Sequence, residues 1–539
     1  MATSLKQSTV LVVDDFPSMR TMMLGFLKTM GVTATDNVGN AKEALALLAK
    51  KQYDIVICDY NLGHGKNGQQ IFEEAKYKNH IGYSTIWVMV TAEKTMDMFM
   101  GAAETKPDDY LLKPVTVTLL EGRLNKLIER KKLLEPIEKA VKSKDYIRAI
   151  ALCDEQLKVH SQNTQELLRI KGDLLMTVGD YPAAKTFFES VLAVRSLPWA
   201  KTGLGAVHFM TKDFFHAKEI FQEVLEENKM YLEAADWLAK SLDALGDTEQ
   251  AQGVLAKAME LSPLASGRQK SLADVALKNG ALDLAQSSYE KAIKLGEHSI
   301  HKSSNTYAGL AKVLTAKDNP AEALKVLGRS KEEFKDDHEA ALQAAVIEGM
   351  AYHKMGEPEK AEEALAVAEG LMRAQPRNIN VTTTMEMANV LFELGHKDKA
   401  CGLLEGVVKN NHENTDILNM VEAAFEEAGI GEEGSELIKK TSQEVVDINN
   451  QGVVLANEGK FEEGIKLMKK ALQTAPDNDQ MITNLCGMMI GLMTKNGKDD
   501  RMIFEVREHL DRVRKLNPLN TKYNTLTNAL SKLSSPPSA

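Results

Sequence analysis

The stretch "DIVICDYN" (54–61) joins a short apolar run to a carboxylate, Asp59. Similar apolar runs occur in "TVLVV" (9–13) and "TIWVMV" (85–90). Because these runs hardly alternate apolar with polar residues, they are typical of strands buried on both faces of a parallel sheet. Asp59 therefore stands where a buried strand is predicted to end, and its charge at that point requires an explanation.

Two weaker strand signals complete the pattern, "VTAT" (32–35) and "DYLL" (109–112). Helical stretches follow the five runs, near 17–30, 40–50, 68–77, 95–104 and 116–130. Five strands that alternate with five helices indicate a doubly wound α/β domain. We predict that this domain occupies residues 1–128.

The rest of the chain has helical spacing and a recurring phrase. "KSKDYIRAIALC" (142–153) and "TVGDYPAAKTFF" (177–188) show its form, a polar turn followed by a small residue and, four positions later, a larger apolar one. The small residues are Ala149, Ala184, Ala217, Ala251, Ala285, Ala323, Ala361, Ala400 and Gly464. Steps of 33 to 39 residues separate the members from Ala149 to Ala400.

A period near 34 residues with this content predicts a two-helix repeat, in which the small residue lies where neighbouring helices cross. The pattern resembles the tetratricopeptide repeat over residues 132–520. That resemblance implies an all-α solenoid whose concave surface binds a protein segment, although the target cannot be named. Residues 521–539, which end in "SKLSSPPSA", are predicted to form a partly disordered tail.

Composition excludes several classes of function. The net charge of −10 disfavours non-specific nucleic-acid binding, and no apolar run is long enough for membrane insertion. The four cysteines are scattered, and the first residues lack a long apolar segment, so we expect a cytoplasmic protein with reduced thiols. The histidines of "HSIH" (298–301) have no third ligand nearby, so metal binding is not expected there.

Polar residues follow four of the predicted strands: Asp14 and Asp15, then Asp59, Thr91 and Lys113. Ligands of doubly wound sheets bind at the carboxyl ends of the strands. If the first and third strands are neighbours, the three carboxylates converge and repel one another. A dication would relieve this repulsion, and oxygen ligands favour Mg²⁺.

Each of these residues also has a purely structural explanation, as a turn residue, a helix cap or the end of a strand. Together they provide a carboxylate nucleophile, a metal site, a hydroxyl group and an ammonium group. Those are the groups that a site receiving a phosphoryl group requires. Their joint occurrence at the ends of different strands therefore favours a functional site.

The motifs "VDD", "CDYN", "VTA" and "LLKP" resemble the receiver domain of two-component response regulators, over residues 8 to about 128. The resemblance implies a flavodoxin-like fold with a five-stranded parallel sheet. It implies that Asp59 is the phosphoacceptor, and that Mg²⁺ is held by Asp14, Asp15, Asp59 and the backbone carbonyl of Asn61.

Further roles follow from the same resemblance. Thr91 would hydrogen-bond the phosphoryl group, and Lys113 would form an ion pair with a phosphoryl oxygen. The Lys113–Pro114 bond is expected to be cis, and Tyr110 is the switch aromatic that turns inward on phosphorylation. One departure is the glycine-rich loop "NLGHGKNG" (61–68). His64 in this loop could be considered for phosphotransfer, but loop histidines are usually solvated.

These features predict a bacterial response regulator phosphorylated by a sensor histidine kinase or a histidine phosphotransferase. Its output would be protein–protein contact through the repeats, and its only catalysis would be its own phosphorylation from small phosphodonors and its dephosphorylation. The alternative is a non-switching adaptor whose receiver is a docking module or a phosphate sink. The last receiver helix runs into "ERKKLLEPIEKAVKSKDY" (129–146) without a glycine or serine linker, so we expect the two regions to be coupled.

Overall fold

The computed structural model describes residues 4–92, 106–159, 164–377 and 379–534. The chain divides into two compact units, Met1–Gly309 and Leu310–Ala539. Among the described residues, no helix combines the length with the apolar character that crossing a membrane requires.

The first unit begins with a five-stranded, all-parallel sheet in the order β2-β1-β3-β4-β5. Its strands are β1 (Thr9–Val13), β2 (Ala34–Val38), β3 (Ile55–Asp59), β4 (Ile86–Thr91) and β5 (Asp109–Leu112). The predicted fold class and the pairing of the first strand with the third are confirmed. The second strand begins later than predicted, because Val32 belongs to the turn after the first helix, where its N–H donates to the Leu27 carbonyl.

Helices cover both faces of the sheet. They are α1 (Pro17–Thr29), α2 (Ala41–Lys50), α3 (Gly68–Tyr77) and α4 (Val117–Lys132). Apolar residues of α1 and α4 form one buried layer with the sheet, and those of α2 and α3 form the other. The strands are therefore buried on both sides, as their continuous apolar runs require. The helix predicted near 95–104 lies outside the described residues.

Helical pairs follow the sheet domain in the first unit. They are α5 (Glu135–Lys142) with α6 (Tyr146–Val159), α7 (Thr164–Val178) with α8 (Tyr181–Val194), α9 (Pro198–Met210) with α10 (Phe214–Glu227), α11 (Leu232–Ala244) with α12 (Thr248–Leu261), and α13 (Ser266–Lys278) with α14 (Leu282–Gly296). The next helix, α15 (Ser304–Ala316), contains the point at which the chain divides.

The second unit continues the helical pattern. Its helices are α16 (Pro320–Glu333), α17 (His338–Lys354), α18 (Pro358–Ala374), α19 (Val381–Glu393), α20 (Lys397–Asn411), α21 (Thr415–Glu427), α22 (Gly431–Asn457), α23 (Phe461–Ala471), α24 (Asp479–Asn496), α25 (Asp500–Leu516) and α26 (Tyr523–Ser534). The unusually long α22 accounts for the irregular sequence spacing before Gly464. Most of the predicted tail forms the helix α26, and residues 535–539 lie outside the described part.

The recurring small residues have the packing that the repeat predicts. All eight alanines from Ala149 to Ala400 are fully buried, and Gly464 is buried as well. The residues four positions later, such as Phe221 and Leu255, are also buried in the cores between helices. This burial agrees with the predicted register, in which a small side chain lies at each helix crossing.

Ala251→Leu is expected to destabilise the first unit by about 1–3 kcal/mol, because a buried crossing has no room for three further carbons. Lys257→Leu on the exposed face of the same helix α12 is the matched control and is expected to change stability by about 0.5 kcal/mol or less. Chemical denaturation followed by circular dichroism compares the two. Equal stability of both variants would contradict the proposed repeat register.

Candidate functional site at the carboxyl ends of the strands

Three carboxylates converge where β1 and β3 end. Val13 pairs with Cys58 in the sheet, so Asp14 and Asp59 follow at neighbouring positions. Each of these two residues is 6% exposed, and Asp15 beside them is half-buried. Carboxylate oxygens of all three residues lie within 4.8 Å of one another. The predicted convergence of Asp14, Asp15 and Asp59 is thus present in the fold.

Lys113 reaches this cluster from the residue after β5. Its Nζ lies 2.8 Å from Oδ2 of Asp59 and 2.9 Å from Oδ2 of Asp14. The ion pair of Lys113 with a phosphoryl oxygen stays a prediction. The two carboxylates are anions within reach, so the ammonium pairs with both before any phosphoryl group arrives. The Lys113–Pro114 bond is cis, as predicted.

The charges in the cluster do not balance. Burial is the largest influence on Asp59 and raises its pKa, although the hydrogen bond from Lys113 acts in the opposite direction. Burial alone would lower the pKa of Lys113, but its hydrogen bonds with Asp59 and Asp14 outweigh burial and raise that pKa. A single ammonium group therefore does not fully offset the cost of ionising the buried Asp59, and further positive charge would stabilise its ionised form.

The donor set fits a hard dication. Oδ1 of Asp15 is buried, and within the described part of the chain it has no hydrogen-bond donor. A buried acceptor without a donor is costly, and a cation bound there would remove that cost. Carboxylate oxygens are the ligands that Mg²⁺ prefers. Asn61 is at the start of the following loop and donates its backbone N–H to Asp59, whereas the metal role of its carbonyl stays a prediction.

Thr91 and Tyr110 lie on the two neighbouring strands. Asp59 pairs with Val90, so Thr91 is the next residue along β4, and it is only 4% exposed. Its carbonyl accepts the backbone N–H of Lys113 at 2.8 Å, which links the ends of β4 and β5. Tyr110 is half-buried and packs against the buried layer formed with α2 and α3.

Two residues that support the site were not identified from the sequence. Arg20 on α1 donates from Nη1 to the carbonyls of Asp14 and Asp15 at 2.7 and 3.2 Å, and so fixes the backbone of the acidic pair. Gly68 opens α3 directly against the Asp59 carbonyl, where a Cβ would overlap that oxygen. The Gly68 signal was present as "NG" (67–68), since Asn67 forms a capping box with Gln70.

A second group of contacts joins the opposite end of the sheet to the first helical pair. The Glu138 carboxylate of α5 is buried and accepts hydrogen bonds from the backbone N–H of Ser84, at 2.7 Å, and from the Ser84 hydroxyl. Gly82 lies so close that a Cβ there would overlap the Glu138 carboxyl group. Tyr83 packs into the apolar core of the first helices of the array. We call the contacts of the loop 82–85 with α5 the junction.

Charged residues of α4 extend the junction. Lys131 is buried, and its Nζ lies 2.7 Å from the Tyr83 carbonyl and 2.8 Å from Asp108 just before β5. Nε of Arg130 lies 2.8 Å from Glu166 on α7. These contacts tie α4 to both the sheet and the first helical pairs, which belong to the same compact unit.

Comparison with known families agrees with both regions. Residues 10–125 match the family described as response regulator receiver domain. Residues 238–300, 345–437 and 448–478 match three families described as tetratricopeptide repeat.

Two chemotaxis proteins are similar to the receiver region. CheY-3 of Vibrio cholerae serotype O1 is 29% identical over 125 residues, which cover 23% of this chain and 95% of that protein. CheY of Pseudomonas aeruginosa is 29% identical over 121 residues, which cover 22% and 96%. Among solved structures, CheY4 of Vibrio cholerae is 24% identical over 22% of this chain and 98% of its own, with a TM-score of 0.21. MamA is 16% identical over 34% and 94%, with a TM-score of 0.30.

The chain therefore combines an N-terminal receiver domain with tetratricopeptide repeats. This combination is that of a response regulator with a protein-interaction module.

Asp15→Asn is expected to weaken Mg²⁺ binding by about tenfold or more, because it removes one anionic oxygen from the cluster. Asn61→Ala is the matched control, since a backbone carbonyl is retained whatever the side chain. Calorimetric titration with MgCl₂ measures both affinities. Unchanged affinity in Asp15→Asn would exclude Asp15 from the metal site.

Proposed function

We propose that this chain is a phosphorylation-controlled scaffold in which Asp59 accepts a phosphoryl group and the repeats bind a protein target. One observation carries the proposal. The buried Asp59 carboxylate is held 2.8 Å from the Lys113 ammonium, beside two further carboxylates. The donor would be a sensor histidine kinase or a histidine phosphotransferase, and the setting the bacterial cytoplasm.

In the transfer step, a carboxylate oxygen of Asp59 attacks the phosphorus of a phosphohistidine. The P–N bond breaks, its electron pair stays on the imidazole nitrogen, and an acyl phosphate forms on Asp59. Lys113 is already in contact with Asp59 and can form an ion pair with an oxygen of the transferred phosphoryl group. Thr91, at the end of the adjacent strand, can donate a hydrogen bond from its hydroxyl to a second phosphoryl oxygen. Mg²⁺ held by Asp14, Asp15 and Asp59 would supply the positive charge that offsets repulsion between anions.

Strands β4 and β5 can carry the signal away from the site. β4 has Thr91 at its carboxyl end, and the Ser84–Glu138 contact lies just before its amino end. β5 is followed by Lys113 and preceded by Asp108, which binds Lys131. A strand of six residues spans about 20 Å and is held on both sides by its neighbours. A displacement of Thr91 or Lys113 would therefore act on the junction through β4 and β5.

One observation favours the alternative, a receiver that serves as a fixed docking module. The junction contacts of Glu138 and Lys131 are complete without a phosphoryl group. A contact that is equally stable in both states transmits nothing, because a modification shifts an equilibrium only through differential stabilisation. The two functions therefore differ in whether the junction changes on phosphorylation.

Phosphoryl uptake can be tested without the kinase. We expect acetyl phosphate with MgCl₂ to add one phosphoryl group per chain, measured by intact-mass spectrometry and located by borohydride trapping and peptide mapping. EDTA should prevent uptake, because the carboxylates would then repel the incoming anion. Uptake that proceeds equally in EDTA would contradict the metal-dependent step.

A further inference from the structure

Two histidines surround the aspartate that begins α10. Asp213 is the N-cap of α10, His216 lies in its first turn, and His208 lies near the end of the preceding helix α9. Nδ1 of His208 is 2.8 Å from Oδ2 of Asp213, and Nδ1 of His216 is 2.8 Å from Oδ1. Ligand atoms from all three residues lie within 4.8 Å of one another.

The repeat fold does not require these histidines. The caps of α8 and α12 are also aspartates, Asp180 and Asp247, and they stand at the same place in their repeats. Counted from those caps, the position of His208 is occupied by Leu175 and Leu242, and both leucines are buried. The position of His216 is occupied there by Ala183 and Gln250. The third pair therefore places a polar ring, only 14% exposed, where its neighbours place apolar core residues.

We propose that His208, Asp213 and His216 form a binding site for a transition-metal dication of the Zn²⁺ type. Two imidazole nitrogens and one carboxylate oxygen are a donor set that Zn²⁺ takes in proteins, with the fourth position left to water. Hard ions such as Mg²⁺ prefer oxygen ligands, so this site is chemically distinct from the receiver cluster.

The distances are close to those of a metal site. Ligand atoms of a tetrahedral Zn²⁺ lie about 3.3 Å apart, given metal–ligand bonds of about 2.0–2.1 Å. The two histidine–aspartate distances of 2.8 Å need to widen by about 0.5 Å. His216 is 61% exposed on the first turn of α10 and can move by that amount. Metal binding at Nδ1 would shift the ring proton of each histidine to Nε2.

The Asp213 carboxylate is already oriented towards both imidazole rings by its contacts with them. His298 and His301 form no comparable group with a third ligand among the described residues. The chelate would connect α9 to α10 and stiffen the third helical pair.

The test is calorimetric titration of the untagged full chain with ZnCl₂, in excess MgCl₂ so that the oxygen cluster is occupied. We expect wild type to bind one Zn²⁺ tightly. His208→Leu, which restores the leucine of the neighbouring repeats, and His216→Gln should each weaken binding by about tenfold or more. His396→Gln is the matched control, because His396 is the N-cap of α20 and pairs with Glu362 instead of a second histidine.

Absorption of the Co²⁺-loaded chain provides a second readout. Four-coordinate Co²⁺ with nitrogen ligands should give a visible d–d band in wild type and His396→Gln, and this band should be lost in the two site variants. Circular dichroism melts show whether each variant is folded. Absence of tight Zn²⁺ binding by wild type would overturn the proposal. Binding that persists in folded His208→Leu or folded His216→Gln would also overturn it.

Discussion

Asp59→Asn is expected to abolish phosphoryl uptake from both acetyl phosphate and a phosphohistidine donor. The amide has nearly the same shape as the carboxylate but no anionic oxygen to attack phosphorus. Asp14 and Asp15 are close by, but both would be bound to Mg²⁺ as ligands in the proposed site. We therefore expect no second residue to accept the group. Intact-mass spectrometry in MgCl₂ gives the extent of modification directly.

His64→Gln is the control for this experiment. His64 is exposed in the loop that follows Asp59, and it is a residue type that carries phosphate in other proteins of phosphorelays. We expect His64→Gln to take up one phosphoryl group at the wild-type rate. Stoichiometric uptake by Asp59→Asn, or loss of uptake in His64→Gln, would contradict the assignment of Asp59.

Lys113→Ala is expected to produce the largest change in stability at the site. Its ammonium contacts both Asp59 and Asp14, and the variant leaves two buried carboxylates facing each other. Removing one partner from a buried ion pair commonly costs about 3–5 kcal/mol. Added MgCl₂ should restore part of the loss, because the metal replaces the missing positive charge.

The sign of the pH dependence provides an internal check on Lys113→Ala. The pKa of Asp59 is raised in the folded chain, so stability falls as pH rises through the interval from its unfolded to its folded pKa. Without Lys113 that pKa should rise further. The deficit relative to wild type should therefore be larger at neutral pH than in mild acid, where Asp59 binds a proton. Denaturation at both pH values measures the deficit.

Lys126→Ala on the exposed face of α4 is the matched control and should change stability by about 0.5 kcal/mol or less. A deficit in Lys113→Ala that is no larger than the control value would contradict the charge balance described for the cluster. A loss of stability in Lys113→Ala that is larger in mild acid than at neutral pH would contradict the raised pKa of Asp59.

The acidic cluster could be predicted from the sequence, because the carboxyl ends of the strands of a parallel sheet all lie at the same edge of the sheet. Asp14 and Asp59 each follow a run of residues that is apolar on both faces, so their positions at one edge were fixed once β1 and β3 were paired. The start of β2 was harder to predict. Val32 is apolar and buried, but its burial belongs to the turn after α1.

The junction carried no local signal. Ser84 and Glu138 are 54 residues apart, and a glutamate on an amphipathic helix normally faces solvent. Its burial depends on the loop 82–85 that closes over it, which is a tertiary contact. The same reason explains why the group of His208, Asp213 and His216 was not found. The five residues from His208 to Asp213 cross a turn between two helices, and that spacing matches neither helical nor strand periodicity.

Exchange of backbone amides across the junction tests the central claim that phosphorylation of Asp59 reaches the repeats. Hydrogen–deuterium exchange is measured for residues 82–85 and 131–142, with and without beryllofluoride and MgCl₂, in wild type and in Asp59→Asn. A phosphorylation-controlled scaffold predicts altered exchange in the loop and in α5 of wild type, and no change in Asp59→Asn. Altered exchange confined to the site around Asp59, with none in the loop or α5, would contradict it and favour a fixed docking module.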